Sequence, residues 1–170
     1  MTRATGIVLT ALGVLAAVLT AAFATLVVLL RRRDKRFIRR FTRLQRDVLN
    51  PNVLKTAGTP GQRTAVLETV GRRSGTPYET PISPVPDAEG WCVALVYGPE
   101  TAWAKNAVAA GEAVLRIDGR RHRVDQLEIV PIGETALAAD QAGLMSLFRV
   151  EHAVRMRDAG VIDPEPTAPA

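Results

Sequence analysis

Hydrophobic positions divide the chain into stretches of different period. From Gly6 to Leu30 there is no period, only twenty-five consecutive residues without a charge. A helix needs about 20 apolar residues to cross a hydrocarbon core of ~30 Å, so this run can span with some tilt. The alternatives are a cleaved signal peptide and a buried core helix. Ala22-Phe23-Ala24 has the small-x-small form of a cleavage site, yet the apolar run continues past it and only Arg3 precedes it. The expectation is therefore a transmembrane anchor over residues 1–30. In residues 31–50, Phe37, Phe41, Leu44 and Val48 recur at helical spacing. They predict an amphipathic juxtamembrane helix, either lying on the membrane or packed on the domain that follows.

Short alternating runs then take over. Thr64–Val70 and Tyr78–Val85 read as strands, and Pro81 and Pro84 restrict the second to an edge or a bulged course. Asp87–Gly90 is a turn into a strand over Trp91–Tyr97. There Trp91, Val93, Leu95 and Tyr97 face one way and Cys92, Ala94 and Val96 the other. Two apolar faces predict a central strand, and the small side chains of the second face leave room for a flat ligand. Next comes an alanine-rich helix with Thr101 as N-cap and Gly111 as its stop. Ala113–Ile117 and Arg121–Val130 form a hairpin across Asp118-Gly119, with a bulge near Asp125 where the apolar phase shifts. A helical region over Glu134–Asp158 and a disordered tail over 161–170 complete the expectation. The fold class is α+β: an antiparallel barrel over residues 51–160 with helices on its rim, preceded by one transmembrane helix.

Charge refines the picture. Arg31–Arg46 holds nine basic residues and one acidic, and this asymmetry across the apolar run places the C-terminal domain in the cytoplasm of a single-pass membrane protein. Asp47–Ala170 holds twelve Lys+Arg and sixteen Asp+Glu, so the high pI belongs to the juxtamembrane run alone. A mildly acidic domain excludes nucleic acid as a partner, whereas a basic run beside an apolar span meets anionic lipid. One cysteine, Cys92, cannot form an internal disulfide, and His122 and His152 are too far apart in sequence for a zinc motif. No metal is expected.

Two constellations could carry chemistry. In Gly71-Arg72-Arg73-Ser74-Gly75 two guanidinium forks, a hydroxyl and backbone N–H groups converge, the donors a phosphate or carboxylate requires. A solubilising surface turn is the plain alternative. In Val96–Asn106 a strand end, Gly98 and a helix start form a shape where backbone can lie against a planar ring with N–H groups facing an anion. Trp103 and Asn106 share one helix face; Trp103 reads as core or ligand contact, and Asn106 as a structural hydrogen bond to neighbouring backbone or a site residue.

Taken in order, "LETVGRRSGTPYETPISPV" and "WCVALVYGPETAWAKNAVAAGEAVLRIDGRRHRV" resemble the deazaflavin-dependent nitroreductase and quinone reductase family, in its membrane-anchored branch. The resemblance covers about residues 62 to 131, and "LFRVEHAVRMRDAG" looks like the family's C-terminal helix. It implies a split β-barrel of the FMN-binding type that binds coenzyme F-420. Arg72, Arg73, Ser74 and Gly75 would hold the cofactor's phosphate and acidic tail. Tyr97, Gly98, Thr101 and Trp103 would lie by the deazaflavin, with Asn106 fixing the helix. Arg73 stands where lysine is usual, and Tyr97-Gly98 where a double glycine is common. The family's tyrosine near the substrate in the C-terminal region has no counterpart here, since only Tyr78 and Tyr97 are present.

The implied function is hydride transfer from reduced F-420 to an electron-poor small molecule, a quinone or a nitro compound. The accompanying proton comes from Tyr97, His122 or water. FMN or heme on the same barrel, or a non-catalytic cofactor-binding module tethered to the membrane, are the alternatives. The oligomeric state stays open, a homodimer being one form.

Overall fold

The computed structural model describes residues 3–32 and 34–164. Helix α1, Arg3–Arg31, carries the apolar run. Asp34, the single acid of the basic run, ends it by capping the next helix: its carboxylate accepts from the backbone N–H of Arg36 and Phe37 at 2.9 and 2.7 Å. Helix α2, Lys35–Leu44, passes through a π-helical turn, Gln45–Leu49, into the short α3, Asn50–Val53. The expected apolar stripe is only half right. Phe37 and Phe41 are half-buried, whereas Leu44 and Val48 are 52% and 53% exposed. The widened turn after Leu44 rotates Val48 off the packed face, and Gln45 takes the packed position in place of Leu44.

Seven strands follow: β1 Ala65–Val70, β2 Pro77–Ile82, β3 Val85–Asp87, β4 Gly90–Ala94, β5 Glu112–Ile117, β6 Arg120–Pro131 and β7 His152–Pro164. They form one antiparallel sheet in the order β2-β1-β5-β6-β7-β4-β3. Helix α4, Ala102–Ala110, is inserted between β4 and β5, and the short α5, Leu137–Asp140, and α6, Ala142–Phe148, between β6 and β7. Pro81 and Pro86 lie on the two edge strands, where a missing N–H costs no ladder bond. The stretch read as one strand over Tyr78–Val85 is two, broken at Ser83-Pro84.

That break bends the whole sheet. Ile82 and Val85 are three residues apart, hence at most about 11 Å. Yet they belong to opposite edges, which six gaps of ~4.8 Å would hold about 29 Å apart in a flat sheet. The sheet must curl until its edges approach, and it does not close, since β2 and β3 do not pair. Register shifts along β6, one of them between Asp125 and Glu128 with Gln126 at φ 49°, supply the expected bulge and the bend. Inside the curl, Leu67, Leu115, Val124, Val154 and Met156 form the core, capped by Ala104 and Ala107 of α4.

Two expectations fail at the C-terminus. Glu134–Asp158 is not helical throughout, and the likeness of 147–160 to a terminal helix does not hold. Arg149, at φ 50°, stops α6, and Val154-Arg155-Met156-Arg157 alternates with the period of a strand. β7 lies between β6 and β4, which buries Ala153, Val154 and Met156 and outweighs the helical reading. Residues 161–164 belong to that strand rather than to a tail, and 165–170 lie outside the described residues.

Arg157 of β7 grips Asp125 of β6 through two bonds of 2.8 Å, and these bonds hold the Asp125 carboxyl below the usual carboxylate range. A folded-state pKa depressed in this way gives stability above the unfolded pKa (~3.9) that is lost as pH falls through the folded one. Asp125→Asn is thus expected to lower Tm at neutral pH, with the gap to wild type closing in strong acid. Thermal melts across the pH range check this; a gap independent of pH would assign the effect to packing.

Candidate functional site

The cationic turn sits between β1 and β2. Gly71 N–H donates to the Thr76 carbonyl and Gly75 N–H to the Gly71 carbonyl, both at 2.8 Å. Gly71 sits in a crowded place: a Cβ there would lie 2.5 Å from Ser74 Oγ and 2.8 Å from the Tyr78 ring, so both side chains would have to move. Gly75, at φ 68°, needs the left-handed region. Arg72, Arg73 and Ser74 are left exposed on this scaffold.

The second constellation starts earlier than the pattern implied. β4 ends at Ala94, and Val96-Tyr97 already form a turn in which Gly98, buried at φ 86°, donates to the Leu95 carbonyl at 2.8 Å. Thr101 is the N-cap residue of α4 and Gly111 its left-handed stop, as expected. The Thr101 hydroxyl makes no capping bond, however; its Oγ1 is buried without a hydrogen-bond partner, as is Oγ1 of Thr69, two residues before the turn. Trp103 packs half-buried on the core. The Cys92 face of β4 is no bed for a flat ligand: Val130, Leu137 and Ala153 cover it, and this burial pushes the Cys92 thiol pKa up.

The two motifs meet at Asn106. Its side chain is 7% exposed, and its Oδ1 accepts from the Arg72 backbone N–H at 3.3 Å and from Arg72 Nη1 at 2.8 Å. One amide therefore clamps the cationic turn to α4 across thirty-four residues of sequence. Arg72 faces the clamp, while Arg73 makes no bond to the protein among the described residues.

Tyr97 faces the juxtamembrane segment. Its ring lies 5.8 Å from Phe41, which stacks on Phe37 at 5.6 Å. Burial pushes its phenol pKa up, and a hydrogen bond with the Gln45 side chain offsets part of this. The phenol therefore holds its proton at neutral pH. Of the two readings for α2, this contact shows packing on the domain. Phe41 and Gln45 were missed as site neighbours, although Phe37, Phe41 and Gln45 repeat at four-residue spacing. Thr69 was missed too; the signal was a hydroxyl among the apolar core positions of β1.

His122 belongs to a different group. Its Nδ1 is 3.1 Å from Asp158 Oδ2, so the ring donates its Nδ1 proton, and the ring meets Trp91 edge-on at 5.0 Å. No group of histidine, cysteine and carboxylates able to hold a metal ion occurs among the described residues.

Residues 37–138, which include both motifs and all but the first two residues of α2, match a known protein family. The chain belongs to the F420H(2)-dependent quinone reductase family. It is an oxidoreductase that depends on coenzyme F-420, and the quinone reductase family takes its name from a quinone acceptor. Among solved structures, the protein Atu2129 (unknown function) from Agrobacterium tumefaciens str. C58 is 18% identical over 72% of this chain and 60% of its own, with a TM-score of 0.42. Another is 18% identical over 59% of this chain and 76% of its own, with a TM-score of 0.39. No curated protein matches the chain.

Proposed function

We propose that the chain is a single-pass membrane protein whose cytoplasmic split barrel reduces a membrane quinone with F-420. The observation that carries this reading is the Asn106 clamp, which ties the cationic turn to helix α4. The residues fit the cofactor: an exposed turn offers Arg73, Ser74 and the backbone of Gly75 to a phosphate and acidic tail. Beside α4, the buried, unpartnered hydroxyl of Thr101 wants the polar edge of a ring. Gly98 and Trp103 flank the start of that helix. Arg72 and Asn106 act as positioning residues.

The bound, reduced deazaflavin supplies a hydride, and a quinone needs that hydride plus one proton to become a hydroquinone. Tyr97 keeps its proton at neutral pH and can donate it, as a hydrogen bond or outright, to the acceptor oxygen. Phe37 and Phe41 beside it exclude water and favour an apolar acceptor.

Supporting the anchor, α1 contains one stretch long and apolar enough to cross a membrane, and its side chains are exposed over most of its length. Within it, the Thr20 and Thr25 hydroxyls donate to the Ala16 and Ala21 carbonyls at 2.8 Å, so neither needs water. Val27 and Leu30 are buried at its C-terminal end, where α1 meets α6.

The test is re-oxidation of reduced F-420 by the full chain in vesicles carrying menaquinone, and by menadione in solution. Removing residues 1–24, which spares Val27 and Leu30, should lower the first rate several-fold and leave the second unchanged. Absence of turnover with both quinones, or saturation by FMN in place of F-420, would sink the reading.

A further inference from the structure

Where α1 leaves the apolar run, a cleft of about 520 Å³ opens between Arg31, the 3-10 turn after β6, α5, α6 and the link from α6 to β7. Ile132, Ala138, Ala142, Met145 and Val150 give it apolar walls, and Ser146 adds a hydroxyl. Its charged residues are Arg31, Arg149 and Glu151, a formal balance of one positive charge. On the same helix, Leu144 and Leu147 are exposed.

We infer that this cleft binds the headgroup of an anionic phospholipid, with the phosphate between Arg31 and Arg149. The inference rests on the membrane-anchored reading above, because only a span ending at Arg31 brings the cleft to headgroup depth. Three observations select a lipid. The cleft combines apolar walls with a cationic mouth, which suits an amphiphile better than a free anion. Burial of Val27 and Leu30 at the α1–α6 contact fixes the end of the span beside the cleft. The exposed α1 side chains, and Leu144 and Leu147 on α6, which α1 contacts, then offer acyl chains apolar surface. Such a lipid would hold the domain in one orientation, and Tyr97 with it.

The full chain, extracted from membranes and exchanged into mixed micelles of phosphatidylglycerol and phosphatidylcholine, tests this by native mass spectrometry. One phosphatidylglycerol should be retained, in preference to phosphatidylcholine. The double variant Arg31→Gln with Arg149→Gln should lose that preference by at least about tenfold, since a single charge-assisted contact is already worth that much. Arg63→Gln with Arg120→Gln removes the same charge from exposed positions outside the basic run and should retain it. Equal retention by both double variants, or binding of inorganic phosphate as firm as that of the lipid, would overturn the site. Release of the chain from membranes by alkaline carbonate would instead remove the anchored reading, and the lipid site with it. Retention in the membrane without lipid preference would remove the lipid site alone. Unchanged Tm in both double variants shows that the comparison is not one of folding.

Discussion

Asn106→Ala should weaken F-420 binding by at least tenfold and lower stability together. The amide oxygen accepts two bonds, one from a guanidinium at 2.8 Å, and the residue is 7% exposed. Removing a buried acceptor of this kind costs about 1–3 kcal/mol. For a chain of this size that corresponds to a Tm lower by roughly 2–4 °C per kcal/mol. The affinity loss has a separate origin: the turn is no longer held against α4, so its donors must be ordered when the cofactor binds. Arg72→Ala should move both quantities in the same direction. The double variant should cost less than the sum of the two, since each removes the same bond. Asn106→Asp separates the effects, because a carboxylate still accepts from Arg72 but repels an anionic tail. Its Tm should stay near wild type while affinity falls. Titration with F-420 and thermal melts on the four variants and wild type decide the matter; a loss of Tm with unchanged affinity would detach the clamp from the site.

How far this arrangement was legible follows from the range of each signal. The turn, the helix entrance, the Asp118-Gly119 hairpin and the Asp125 bulge are local, written in glycines and in a shift of apolar phase. They were readable within a few residues. The clamp was not. An amide on an alanine-rich helix announces that it needs a partner but not that the partner lies thirty-four residues away. β7 misled for a related reason. Its alternation is short, "LMSLF" just before it is helical, and its burial comes from β6 and β4. Only the assembled sheet separates the two periods. Tyr97 was assigned to a strand because strand alternation continues to it, whereas β4 ends at Ala94 and the turn from Leu95 to Gly98 folds the chain back three residues before the pattern ends. The curl itself was latent in Ser83-Pro84, two residues that link opposite edges of the sheet.

Arg73→Ala should act on the cofactor alone. Arg72 is engaged by Asn106, so Arg73 is the guanidinium that the turn presents outward. Losing a charge-assisted contact worth ~1.5–3 kcal/mol lowers affinity by about one to two orders of magnitude. Tm should change little, because an exposed side chain without a protein partner contributes little to folding. Salt adds a second, independent readout. An exposed ionic contact is screened over ~8 Å at physiological ionic strength, so added salt should weaken the wild type more than the variant. Arg73→Lys should recover part of the affinity but not all, since an ammonium keeps the charge and loses the planar fork. A turn present only for solubility gives the reverse pattern, with affinity and its salt dependence the same in all three proteins. That outcome would leave the glycine-bounded turn without a ligand, and F-420 would have to be held by the α4 entrance alone.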